Sequence, residues 1–149
     1  MPTSLILPAL LILIAGAMTA AQPPTNAVLA RESGSVILAA VISFAVGTAV
    51  LLAVLAATQP RFALAPLRDV PWWAWAGGFY GAVFVAAGAY AAPRLGIASL
   101  ITIAVAGQMI AAIAIDHYGA FGLDRTPISL GRVLGVLLIV GGVVLVRRF

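Results

Sequence analysis

The sequence predicts an all-α membrane protein of five transmembrane helices in one domain spanning residues 1–149. Three observations carry that prediction. Hydrophobic residues make up 64% of the chain and charged residues 8%, a balance foreign to water-soluble domains. Residues 1–30, 33–60, 70–93 and 95–115 carry no charge, and each stretch reaches the roughly 20 residues that cross about 30 Å of hydrocarbon at about 1.5 Å per residue. The connections between them are too short to hold a second, soluble domain.

The same composition excludes several function classes. Cysteine is absent, so neither a disulfide framework nor a thiolate metal site is possible. No His/Asp/Glu spacing suggests a metal centre, and no phosphate loop or nucleophile with its base suggests a cofactor or a catalytic site. The net charge is +4, but the arginines are scattered over every connection and form no nucleic-acid patch. The amino-terminal run ending in Ala15, Gly16 and Ala17 imitates a signal peptide yet lacks the preceding basic residues, so it reads as a retained helix.

The first helix is expected over 4–30, with a kink or break at Pro23 and Pro24, because successive prolines remove backbone donors and crowd the preceding turn. Arg31, Glu32, Ser33 and Gly34 then make a polar turn into a second helix over 35–57. Ala39, Ser43 and Gly47 recur there every four residues, a small face suited to close helix contact. The longest connection, with Pro60, Arg61, Pro66, Arg68 and Asp69, leads to Trp72, Trp73 and Trp75, an expected interfacial belt.

The third helix, over 72–92, carries Gly77 and Gly81 in GxxxG spacing, followed by Gly88. The fourth, over 96–116, ends at Asp116 and His117, and a glycine-punctuated loop with Asp124, Arg125 and Pro127 follows. The fifth has only 14 uncharged residues, 133–146, so it spans only if it starts near Ile128, over 128–146, with Arg132 reaching to the interface. Gly131, Gly135, Gly141 and Gly142 repeat the packing theme.

Arginine placement does not fix orientation. With five spans, Arg61, Arg68, Arg125 and Arg132 fall on one side and Arg31, Arg94, Arg147 and Arg148 on the other. A count of four against four leaves two readings, insertion in both orientations to give an antiparallel dimer, or one orientation set by a signal outside the count.

The polar residues inside the apolar segments are the functional candidates. Thr19, Gln22 and Asn26 share a helical face beside the proline pair, either as a binding site or as partners for the interrupted backbone. Gln108 lies between Ala104 and Ala112, and its amide needs a helix, a substrate or water as partner. Asp116 and His117 can both change protonation, as coupling sites do, while their place at a helix end equally suits a structural polar turn.

Particular strings go further than these patterns. They are Gln22-Pro23-Pro24-Thr25-Asn26-Ala27, Gly34-Ser35, Ser43-Phe44-Ala45-Val46-Gly47-Thr48, Pro71-Trp72-Trp73-Ala74-Trp75, Pro93-Arg94-Leu95-Gly96, Gly107-Gln108 and Ile115-Asp116-His117-Tyr118-Gly119. In combination they resemble the YdcZ family of small bacterial inner-membrane proteins, a five-helix branch of the drug/metabolite transporter superfamily. The resemblance covers nearly the whole chain. It implies a half-size transporter that pairs, as an antiparallel homodimer of ten helices or with a sister protein. Ala112 stands where the family often has serine, so no hydroxyl role carries over, and Tyr118 stands where phenylalanine is common.

The leading expectation is therefore a secondary transporter that exports a small organic molecule by alternating access, with its site near mid-membrane between two protomers. Gln22, Asn26, Ser43 and Gln108 are expected to bind substrate, Asp116 and His117 to couple protons, and Gly47, Gly77, Gly81 and Gly135 to pack helices. A competing class is a non-transporting membrane subunit whose glycine faces only pack against a partner. A membrane enzyme is the weakest class, for want of a reactive constellation.

Overall fold

A computed structural model describes residues 5–58 and 65–149 of the chain. Pro60 and Arg61 of the predicted connection lie outside the described residues, as does residue 4, the predicted start of the first helix. Five α-helices and no strand occur among the described residues: α1 Ile6–Ser33, α2 Val36–Thr58, α3 Gly77–Leu95, α4 Ile97–Tyr118 and α5 Leu130–Arg148. Three short 3-10 segments, Ala65–Asp69, Trp72–Ala76 and Ala120–Gly122, lie in the connections. The chain divides into two compact units, Met1–Arg94 and Leu95–Phe149.

In the first unit α1 and α2 pack as a hairpin. Gly34 ends α1 in the left-handed region at φ 69°, where glycine carries no side-chain penalty. Ser35 Oγ then accepts from the Leu38 N–H at 3.2 Å and opens α2.

The predicted break at Pro23 and Pro24 does not occur: α1 is a single helix of 28 residues with both prolines inside it. The prolines deprive the Thr19 and Ala20 carbonyls of their helical donors, but the neighbouring groups remain satisfied. Thr19 Oγ1 donates to the Ala15 carbonyl at 2.8 Å, and Thr25 Oγ1 donates to the carbonyls of Ala21 at 3.2 Å and Gln22 at 2.9 Å. Packing also supports this stretch. Pro23 is buried, and a Cβ built on Gly88 of α3 would sit 3.5 Å from its Cγ, in ordinary van der Waals contact.

Four helices, α1, α2, α4 and α5, are long and apolar enough to cross a membrane, and α3 is not among them. This reverses the expectation that α5 is the marginal one, since α5 extends to 19 residues. Glycines, tyrosines and the Pro93-Arg94 end dilute the apolar content of α3. Burial offsets that deficit: Val85, Gly88, Ala89 and Ala92 are buried, more than in any other helix. Ala39 and Ala40 of α2 are buried as well, and apart from Val85 these are small residues of the kind that let helices approach closely. Trp72, Trp73 and Trp75 are exposed on their own 3-10 turn and do not start α3.

In the second unit α4 packs on α5. Gly119 closes α4 at φ 60°, its N–H meeting the Asp116 and Ile115 carbonyls. A Cβ there would lie 3.0 Å from the Leu123 carbonyl oxygen, so both backbone and space demand glycine. Ser129 caps α5, its side chain accepting from the Arg132 N–H at 3.4 Å.

Candidate functional site

The first unit holds a cavity of about 190 Å³ lined by Gln22 of α1 and by Ser43, Phe44, Gly47, Thr48 and Leu51 of α2. Its α2 wall follows helical spacing. Ser43, Gly47 and Leu51 lie four residues apart on one face, and Gly47 opens that face, since a Cβ built on it would meet nothing within 4 Å. The small-residue row Ala39, Ser43, Gly47 thus has two functions along its length. Ala39 is buried, while Ser43 and Gly47 line the cavity. Thr48 and Phe44 were not singled out by spacing. Their signal is the run Ser43-Phe44-Ala45-Val46-Gly47-Thr48, where hydroxyls flank a glycine inside an otherwise apolar helix.

Asn26 lies one turn beyond Gln22 on α1, is only 2% exposed, and its Nδ2 has no hydrogen-bond partner among the described residues. A buried donor left unmade costs about 1–3 kcal/mol. Of the predicted row Thr19, Gln22, Asn26, Thr19 is consumed by its own backbone bond, Gln22 lines the cavity, and Asn26 alone is fully buried. Gln108 is exposed on α4 and belongs to the second unit.

The packing glycines also divide. Gly81 faces Phe44, whose Cζ would lie 3.2 Å from a Cβ built at 81, whereas Gly77 and Gly135 have open space at that position. The closely packed Gly88 escapes a motif search because it lies outside the GxxxG spacing and faces a proline ring on another helix.

In the second unit Asp116 and His117 tie the α4–α5 connection together. Asp116 Oδ2 accepts from Arg132 Nη1 at 3.0 Å, so the Arg132 guanidinium is held by a carboxylate. The Thr126 N–H donates to the Asp116 carbonyl at 2.8 Å, and Arg125 Nε donates to the His117 carbonyl at 2.9 Å. His117 Nδ1 accepts from the Ile128 N–H at 3.3 Å, which requires that nitrogen to be without a proton. Beside this cluster lies a cavity of about 300 Å³ with apolar walls that include Ile110, Ile113, Ile128 and Val136. No group of three or more His, Asp or Glu side chains suited to a metal ion occurs among the described residues.

Apolar helix surfaces that face outward, as Leu7, Ile12, Leu13 and Leu138 do, need lipid as their solvent. No curated protein and no solved structure matches the chain. The family described as "Putative inner membrane exporter, YdcZ" matches residues 7–145, nearly the entire length. The chain belongs to the YdcZ family and is a multi-pass protein of the inner membrane.

Proposed function

We propose that the chain is a secondary transporter that exports a small organic molecule by alternating access, with Gln22, Asn26 and Ser43 at its substrate site. The observation that carries this reading is the cavity beside Gln22 and Ser43. Polar side chains that line a cavity within membrane helices mark solute paths, because lipid alone gives them no partner. The unpartnered Asn26 amide one turn away supplies a donor waiting for an acceptor. A core of alanine and glycine suits helices that must slide against one another.

The working unit in this reading is an antiparallel pair, either two copies or one copy with a sister protein. The open positions at Gly77 and Gly135 leave small faces for a partner helix. The arginine balance also supports it. Arg132 is paired with Asp116 and Arg31 with Glu32, one from each side, so discounting neutralised arginines leaves the count even. Gln108, exposed on an apolar helix, serves as a hydrogen-bonding group toward substrate or a second chain. Asp116 and His117 serve proton coupling: protonating Asp116 releases Arg132, and protonating Nδ1 of His117 displaces the Ile128 N–H.

Efflux from proteoliposomes loaded with a deproteinised small-molecule cell extract tests the reading. Protein-dependent, saturable efflux that is lost in Gln22→Ala supports it, and efflux intact in both Gln22→Ala and Gln108→Ala removes the site assignment. A cysteine placed after Phe149, in a chain with none of its own, is expected to react from both sides of intact cells. Labelling from one side only ends the antiparallel homodimer. The competing reading, a non-transporting subunit, draws on the same open glycines and predicts that Gly77→Leu separates the complex in a chain that never supports efflux.

A further inference from the structure

We infer that the solute taken by the first-unit cavity is uncharged and presents oxygen acceptors to amide and hydroxyl groups, a small neutral molecule of the polyol or amide kind with one apolar side. The inference rests on the transport reading above. Its first support is the position of the charges. Among the described residues, every arginine and every acid lies in a connection or in the terminal turn of a helix. Residues 6–30 of α1 and the whole of α2 carry none. A charged solute entering between them would shed its water and meet no counter-ion, and an uncompensated charge in a low-dielectric site bears its desolvation penalty in full. A second copy brings the same charge-free helices, so dimerisation of this chain does not supply the missing counter-ion.

The second support is the donor set. Gln22, Ser43 and Thr48 line the cavity with one amide and two hydroxyls, and the nine-tenths-buried Asn26 amide, one turn along α1 from Gln22, lacks an acceptor. Each of these groups can donate to a carbonyl or hydroxyl oxygen, and the amide oxygens and hydroxyls can also accept from a solute hydroxyl or amide N–H. Phe44 and Leu51 give the cavity an apolar wall, and a lone phenyl ring does not replace a carboxylate as partner for a cation.

The experiment uses the full chain in proteoliposomes loaded with a deproteinised small-molecule extract. Mass spectrometry of the effluent, compared with protein-free liposomes, sorts the released species by their charge at neutral pH. The expected effluent is neutral and oxygen-bearing. Its release falls at least about tenfold in Ser43→Ala, the loss of one hydrogen bond in a site built to make it. Gln22→Glu, which puts a carboxylate in the wall, shifts release toward cationic species. An effluent of cations or anions from the unaltered protein overturns the inference while leaving transport intact. Absence of any protein-dependent release overturns the transport reading and this inference with it.

Discussion

The two units use their polar residues in opposite ways. In Met1–Arg94 the polar side chains inside the helices are incompletely satisfied: Asn26 has an unpartnered donor, and Gln22, Ser43 and Thr48 border a cavity. In Leu95–Phe149 the charged groups satisfy each other across a single connection. Asp116, His117, Arg125, Thr126, Ile128 and Arg132 exchange hydrogen bonds there, and the adjacent cavity is apolar. A polar group that has found its partner stabilises a turn, whereas one without a partner in a buried position stores free energy that a ligand can release. The difference is the reason the proposed substrate site is put in the first unit, while the charged groups of the second hold the α4–α5 connection together.

If the second unit is a clasp, Gly119→Val gives the largest effect. Its left-handed backbone and the 3.0 Å approach of the Leu123 carbonyl are expected to cost about 3 kcal/mol of stability in a detergent unfolding titration. An unchanged midpoint would show that the connection does not hold α4 and α5 together.

Asn26→Leu tests the other side of the comparison. Removing an orphaned donor leaves stability unchanged or raises it by about 1 kcal/mol, while efflux is lost. A variant that is clearly less stable would mean that the amide has a structural partner. Asp116→Ala gives the smallest effect. The ion pair is more than a third exposed on the carboxylate side, with side-chain exposures of 34% for Arg132 and 41% for Asp116, so its loss is expected to cost under about 1 kcal/mol. A stability loss several times larger would show that the clasp is carried by the ion pair and not by Gly119 and the backbone bonds.

Much of this fold was legible from charge gaps alone, because an uncharged stretch of about 20 residues has few uses other than a membrane helix. Length misled where burial compensates. α5 looked short because Arg132 cut its uncharged core, yet Asp116 neutralises that arginine and the helix extends through it. α3 looked adequate by charge, yet glycine and tyrosine lower its hydropathy, and it relies on neighbours that the sequence does not reveal. The proline pair predicted a kink or break, but α1 runs through both prolines as one helix, with Pro23 buried near Gly88, 65 residues away.

The candidate site was half legible. Gln22 and Ser43 stand out as polar residues in apolar helices. Their convergence on one cavity is a tertiary fact, and so is the opening of the small-residue row at Gly47. The pairing of Asp116 with Arg132, 16 residues apart, follows from how the connection folds back, which no helical period encodes.

Gly47 offers the most direct test of the central claim. It lines the cavity, an added Cβ there meets nothing within 4 Å, and the chain has no other thiol to react. In Gly47→Cys proteoliposomes, efflux is measured before a methanethiosulfonate reagent, after it, and again after reduction, so the same folded protein is its own control. Transport through this cavity predicts that efflux falls to the protein-free level on modification and returns on reduction. Efflux that is unchanged by complete modification would contradict it.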